Sequence, residues 1–180
     1  KQSTKRMSRR TIVIAAGLSV LALGSPLVST KANPLATQYF DQGSEKHGAG
    51  NYQGAIDDYT KAIEINPQDY FLYINRGIAK RHLNDRQGAI ADFTMAIEIY
   101  PRFQLAYFNR GIDRFELGDF RGAITDYDKA IEIVPQDEDA YYWRAAAKTK
   151  LGDHQGAIAD WTKVIEIKPK SKLSGLAYRN

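Results

Sequence analysis

One tripeptide recurs along this chain without slipping by a single residue. Gly54-Ala55-Ile56, Gly88-Ala89-Ile90, Gly122-Ala123-Ile124 and Gly156-Ala157-Ile158 stand 34 residues apart. Pro67, Pro101, Pro135 and Pro169 keep the same step, and so do Ile63-Glu64-Ile65, Ile97-Glu98-Ile99, Ile131-Glu132-Ile133 and Ile165-Glu166-Ile167. A fixed period of this length means one helix–turn–helix unit per repeat. Such a unit is too small to bury its own apolar face and stacks on its neighbours, so the expected architecture is an all-α stack.

Apolar spacing predicts two amphipathic helices in each unit. The first helices are expected over 36–49, 70–83, 104–117 and 138–151, the second over 52–65, 86–99, 120–133 and 154–167. Between them stand Gly50-Asn51, Asn84-Asp85, Gly118-Asp119 and Gly152-Asp153. Gly and Asn tolerate the left-handed backbone that ends a helix, and Asn or Asp caps the next one. The proline closing each unit has no N–H and pushes the residue before it out of helical geometry.

These units resemble tetratricopeptide repeats over residues 36–169. Tyr39, Tyr73, Tyr107 and Tyr141 stand in the family's Trp slot, and Gly43, Gly77 and Gly111 in its Gly slot, where Ala145 departs. The pairs Ala55/Tyr59, Ala89/Phe93, Ala123/Tyr127 and Ala157/Trp161 match the Ala-x3-Phe element. Ala62, Ala96 and Ala130 match the second small position, with Val164 in the last repeat. The resemblance implies a right-handed superhelical solenoid of four repeats, 36–69, 70–103, 104–137 and 138–169, entered through a short linker at 33–35. Residues 170–180, with Leu173, Leu176 and Tyr178, are expected as a C-terminal capping helix or the start of a further repeat.

Two slots depart from the family pattern. The Leu slot holds Gln42, Arg76, Arg110 and Arg144, and the second Tyr slot holds Lys46, Lys80, Arg114 and Lys148. A partly buried Arg needs a charge partner, and planar bidentate pairing with carboxylate suits it best. Asp58, Asp92, Asp126 and Asp160 recur at one fixed place on the second helices. The Arg and Asp series therefore predict a ladder between helices; a basic ligand site is the alternative.

In this family the first helices line a concave face. The resemblance places Phe71, Ile74, Asn75, Ile78, Arg81 and His82 there from the second repeat, and Leu105, Phe108, Asn109, Ile112, Phe115 and Glu116 from the third. The fourth adds Asp139, Tyr142, Trp143, Ala146, Thr149 and Lys150, and the first adds Phe40, Asp41, Ser44 and His47. An apolar, aromatic wall with Asn75 and Asn109 on adjacent turns suits an extended peptide or an amphipathic helix. Some family members clamp a C-terminal carboxylate with Lys, Asn and Arg. Here the Lys slot holds Phe40 and the Arg slot of the third repeat holds Asn109, which argues against that clamp.

The N-terminal 32 residues have a different composition. Lys1, Lys5, Arg6, Arg9, Arg10 and Lys31 are unopposed by any acid, and Thr11 to Leu23 is an apolar run closed by Gly24, Ser25 and Pro26. Thr30 and Ala32 suit a cut after Ala32, and Met7 is a candidate start. The order is that of an export leader, with a membrane anchor as the alternative, although the run is short of the about 20 residues a span needs. Ser8-Arg9-Arg10-Thr11-Ile12-Val13 also resembles a twin-arginine signal, leaving the export route open. Removing those six cations from the chain's 25 basic residues leaves 19 against 21 acidic ones. That balance argues against nucleic acid as a partner.

Catalytic signatures are missing. Cysteine is absent, which excludes thiol nucleophiles, thiolate metal sites and disulfides. His47, His82 and His154 have no metal-ligand spacing, and there is no Gly-rich phosphate loop or nucleophile elbow. The chain is expected to use no cofactor and not to be an enzyme. It is expected to bind a protein or peptide as a scaffold or assembly factor; the alternative is a structural subunit that self-associates through the solenoid edge as a homo-oligomer. The repeat style resembles that of cyanobacterial proteins, which with the leader suggests periplasm or thylakoid lumen.

Overall fold

The computed structural model describes residues 33–167. The expected leader at 1–32 and the capping segment at 170–180 lie outside the described residues. Among those described, the chain is all helical: α1 (Pro34–Gly48), α2 (Tyr52–Ile65), α3 (Tyr70–His82), α4 (Arg86–Ile99), α5 (Gln104–Glu116), α6 (Phe120–Ile133), α7 (Glu138–Lys150) and α8 (His154–Ile167). Odd and even helices pair within each repeat, and α2, α4 and α6 each pack against the first helix of the next repeat. Every helix lies within about two residues of its expected span. One boundary moves: 33–35 is no linker, because Pro34 opens α1 and the Asn33 side chain caps it by accepting from the Leu35 N–H at 3.0 Å. Proline at the first helical position gives up a donor that has no intrahelical partner there anyway.

The recurring Gly-Ala-Ile has a steric origin. Asn51, Asp85, Asp119 and Asp153 cap the second helices by accepting from the backbone N–H of Gly54, Gly88, Gly122 and Gly156 at 2.9–3.0 Å. A Cβ on Gly88 would stand 2.1 Å from a carboxylate oxygen of Asp85. The alanines that follow, Ala55, Ala89, Ala123 and Ala157, are buried where neighbouring helices close in. The preceding turn needs a left-handed residue, and Gly50, Asn84, Gly118 and Gly152 supply it with φ between 64° and 83°.

Small residues also set the spacing within each pair. Gly43, Gly77 and Gly111 lie against the rings of Tyr59, Phe93 and Tyr127, and an added Cβ would come within 2.7–2.9 Å of them. All three rings are fully buried.

The expected ladder is present and doubles on itself. Arg76, Arg110 and Arg144 each grip the aspartate of their own repeat with two nitrogens, the shortest distances being 2.6 Å to Asp92, 2.7 Å to Asp126 and 2.6 Å to Asp160. Each guanidinium also reaches back one repeat: Arg76 to Thr60, Arg110 to Thr94 and Arg144 to Asp128. The second series joins in, with Lys46, Lys80, Arg114 and Lys148 binding Asp58, Asp92, Asp126 and Asp160 at 2.5–2.9 Å. Arg76, Arg110 and Arg144 lie over the rings of Tyr73, Tyr107 and Tyr141. Sequence departures in two slots are thus one device: two cations close over Asp92, Asp126 and Asp160, while Asp58, with Gln42 in the Arg slot, takes Lys46 alone from these slots. Burial disfavours charge on Asp160, yet Arg144 and Lys148 outweigh it and hold its carboxyl below the usual range.

Candidate protein-interaction site

Successive first helices meet through their aromatic residues. Phe40 of α1 touches Phe71 of α3 (centroids 5.9 Å), and Phe115 of α5 touches Trp143 of α7 (5.4 Å). Phe108 rests on Tyr127 at 6.0 Å. Phe71, Ile78, Leu105, Phe108, Ile112 and Trp143 are half-buried, and Tyr142 is 53% exposed. These side chains form the wall of the first helices.

Ile74 and Asn75 do not belong to the accessible wall. Ile74 has no exposure and Asn75 has 3%, because the neighbouring helices close over α3 at this level. The Asn75 amide donates to the Phe71 carbonyl at 2.8 Å. Asn109 is half-buried and committed: its amide donates to the Leu105 carbonyl (2.8 Å), and its side-chain oxygen accepts from Arg81 (3.0 Å). Asn75 is thus buried with its amide on its own helix, Asn109 ties its helix to Arg81 of the preceding repeat, and the expected pairing with a peptide backbone does not follow from their geometry.

Arg81 leads to a network that reading by repeats overlooks. Asp113 is completely buried. It accepts from Arg81 at 2.9 Å and from Arg86 at 3.1 Å, while Arg86 also faces Glu116 at 3.6 Å. Arg81 further donates to the Asn109 carbonyl at 2.8 Å. None of this is periodic: Asp113 stands where neighbouring repeats have Ala79 and Ala147, and Arg81 where they have His47, Phe115 and Thr149. A period-breaking carboxylate paired with a period-breaking arginine was the signal available.

At the junction of the first two repeats, His82 stacks on Tyr52 (4.3 Å, 4°), and His47 meets His82 edge-on at 5.3 Å. Burial, and then His82, lower the pKa of His47; burial, and then Arg81, lower that of His82. The buried Nε2 of His47 has no hydrogen-bond partner. Both rings are thereby held neutral at neutral pH. Among the described residues no group of three or more His, Asp or Glu is arranged to hold a metal ion.

Comparisons with known proteins place this architecture. The tetratricopeptide repeat model matches residues 38–69 and 138–171, and a second TPR repeat model matches 113–152; together they span about half the chain. A crystal structure of MamA is 26% identical, covering 71% of this chain and 74% of its own, with a TM-score of 0.68. The first TPR of Spaghetti (RPAP3), bound to an HSP90 peptide, is 28% identical over 66% of this chain and 94% of its own, at 0.64. The second TPR domain of human RPAP3, in complex with an HSP70 peptide, is 26% identical over 64% and 96%, at 0.62. No curated protein matches the sequence. With the tetratricopeptide repeat model falling on the helix pairs α1–α2 and α7–α8, and glycine-on-aromatic packing at three successive units, the chain belongs to the tetratricopeptide repeat family.

Proposed function

We propose that this chain is a protein-interaction module that holds a protein or peptide segment against the wall of its first helices, as a scaffold or assembly factor rather than an enzyme. The observation that carries this reading is the half-buried apolar run from Phe71 and Ile78 through Leu105, Phe108 and Ile112 to Trp143. Continuous apolar surface of this kind marks binding sites. Similarity to two RPAP3 domains solved with chaperone peptides supports a peptide-binding role. The segment bound here is apolar rather than an acidic tail. Phe40 and Asn109 stand at positions where a carboxylate clamp needs cations, and Arg81 is consumed by Asp113.

Affinity capture from native extract tests the reading, with the wild-type chain, Phe108→Ala and Lys129→Ala as baits. Losing an aromatic anchor weakens an interface by about 2 kcal/mol, roughly 30-fold. Phe108→Ala is expected to lose the specific partner by that order, while Lys129→Ala on the exposed side of α6 keeps it. Equal capture by all three baits would remove the wall from the mechanism.

The same proposal includes location. The charged, apolar and small-residue order of residues 1–32 supports export to a periplasm or thylakoid lumen, with membrane anchoring as the alternative. N-terminal sequencing of native protein is expected to begin at Asn33; a chain retaining its leader in the cytosol contradicts export, and one retaining it in the membrane fraction selects the anchor.

A further inference from the structure

The two ends of the helical stack differ in chemistry. At one end α1 presents exposed Gln38, Gln42 and Glu45. At the other, α8 presents Ile158, Trp161 and Ile165, which are 61%, 38% and 65% exposed, beside exposed Tyr142 of α7. Their internal equivalents are covered. Tyr59, Phe93 and Tyr127 occupy the Trp161 position with zero exposure, and Ile63 occupies the Ile165 position, buried. Phe40, the counterpart of Tyr142, meets Phe71 of the following repeat. A further first helix lies over each internal second helix; α8 ends the described stack with four large apolar side chains uncovered.

Three occupants compete for this face, and their chemistry separates them. Continuing the 34-residue step past α8 places Ser174 and Tyr178 where internal repeats have Leu72, Ala106 or Ala140, and Arg76, Arg110 or Arg144. It also places Gly175 where they have Tyr73, Tyr107 or Tyr141. A continuation in register therefore brings neither the aromatic ring nor the guanidinium that Thr60 and Thr94 receive at internal junctions. The outer face of α1 from another copy brings glutamines against isoleucine and tryptophan. A second α8 fits better. Its stripe reads Ile158, Trp161, Thr162, Ile165, at spacings that share one helix face. This order is symmetric about a point between Trp161 and Thr162. Two such helices laid antiparallel set each Ile158 against an Ile165 and each Trp161 against a Thr162, the self-complementarity a two-fold contact requires.

We propose that the C-terminal face built by α8 and Tyr142 is a two-fold interface between two copies of this chain. It goes beyond the groove reading, sharing with the wall only Tyr142 at its end, and it leaves Phe71, Leu105, Phe108 and Ile112 of each copy free. A dimer joined there carries two walls, so a partner with two binding segments gains avidity from the linkage.

Sedimentation equilibrium of the chain is expected to give twice the monomer mass. Ile158→Glu combined with Ile165→Glu is expected to raise the dissociation constant on the order of tenfold or more, with helical circular dichroism unchanged. Because the chain has no cysteine, Thr162→Cys supplies a geometric test. Oxidation is expected to link two copies through Cys at this near-axial position, whereas Gln38→Cys on the outer face of α1 is expected to stay unlinked. A monomer at all concentrations overturns the proposal. So does a dimer that forms solely after deletion of residues 171–180, which would show that the chain covers its own face. Cross-linking between Thr162→Cys and Gln38→Cys in a mixture would make the contact head-to-tail and overturn it as well.

Discussion

Arg81 of the second repeat and Asp113 of the third are joined across the repeat boundary at 2.9 Å, with the carboxylate fully buried. The ladder arginines grip the buried aspartate of their own repeat and reach back to Thr60, Thr94 or the exposed Asp128; here the fully buried carboxylate itself is held from the preceding repeat. Removing one partner of a buried ion pair costs on the order of 3–5 kcal/mol because the other charge is left without compensation. Arg86 still reaches Asp113 at 3.1 Å, so Arg81→Ala is expected to cost about 2–3 kcal/mol, toward the lower end of that scale. Arg81→Ala with Asp113→Ala removes both charges and is expected to recover at least about 1 kcal/mol relative to the sum of the single losses. Urea melts of the four proteins give the coupling directly, and additive losses would show that the pair is independent.

Arg110 tests the periodic ladder in the same way. It is bidentate on Asp126, touches Thr94 of the previous repeat and lies over Tyr107. Arg114 remains on Asp126 at 2.9 Å when Arg110 is removed. Arg110→Ala is therefore expected to destabilise by about 2–3 kcal/mol, well above the 1 kcal/mol or less of an exposed pair. Arg110→Lys is expected to restore only part, since an ammonium cannot span both carboxylate oxygens in a fork. A loss of a few tenths of a kcal/mol in Arg110→Ala would reduce the ladder to surface decoration.

Helix positions and the ladder were legible in the sequence because both repeat with the period, and packing devices that recur at each junction leave a periodic trace. The wall was legible in part. Phe71, Leu105, Phe108 and Trp143 follow from the repeat resemblance, whose concave positions share one helix face, but burial of Ile74 and Asn75 depends on how closely neighbouring helices approach, which neither the resemblance nor spacing carries. The network of Arg81, Arg86, Asn109 and Asp113 was missed for the opposite reason. It joins residues from three helices, of which Arg81, Arg86 and Asp113 are unlike their counterparts in other repeats, and a reading that aligns repeats treats such residues as variation.

Tyr127 offers a prediction of the opposite sign. Its ring is fully buried and its hydroxyl has no hydrogen-bond partner. Tyr59, two repeats earlier in the stack, directs its hydroxyl to Ser44 at 3.4 Å; the third repeat has Ile112 at the place of Ser44, and that side chain has no polar group. Burial pushes the Tyr127 phenol well above its ordinary pKa. An unsatisfied buried polar group costs about 1–3 kcal/mol. Tyr127→Phe reproduces the residue the second repeat already uses at Phe93 and is expected to stabilise by roughly 1 kcal/mol, raising the thermal midpoint by a few degrees. A lower midpoint would mean that the hydroxyl is satisfied by a group such as an ordered water.

The two histidines at the first junction set a pH window for stability. Burial lowers both pKa values, with His82 adding to the effect at His47 and Arg81 at His82. The folded state therefore holds these rings neutral where the unfolded chain, with imidazoles near 6.5, takes up protons. Below about pH 7 the unfolded state binds more protons than the folded one, so stability falls as pH drops through 6.5 toward the folded values and the loss is complete below them. Carboxylates act elsewhere. Asp160, depressed by Arg144 and Lys148 against its burial, loses its contribution as pH falls below the ordinary carboxylate range. Asp69 and Asp137, raised chiefly by burial, work in the reverse sense above that ordinary value. Urea melts between pH 5.5 and 7.5 are expected to show stability rising with pH. His47→Phe, which can keep the edge contact with His82 while removing a titrating group, is expected to flatten that slope. A variant whose slope matches the parent's would place the pH dependence away from this junction.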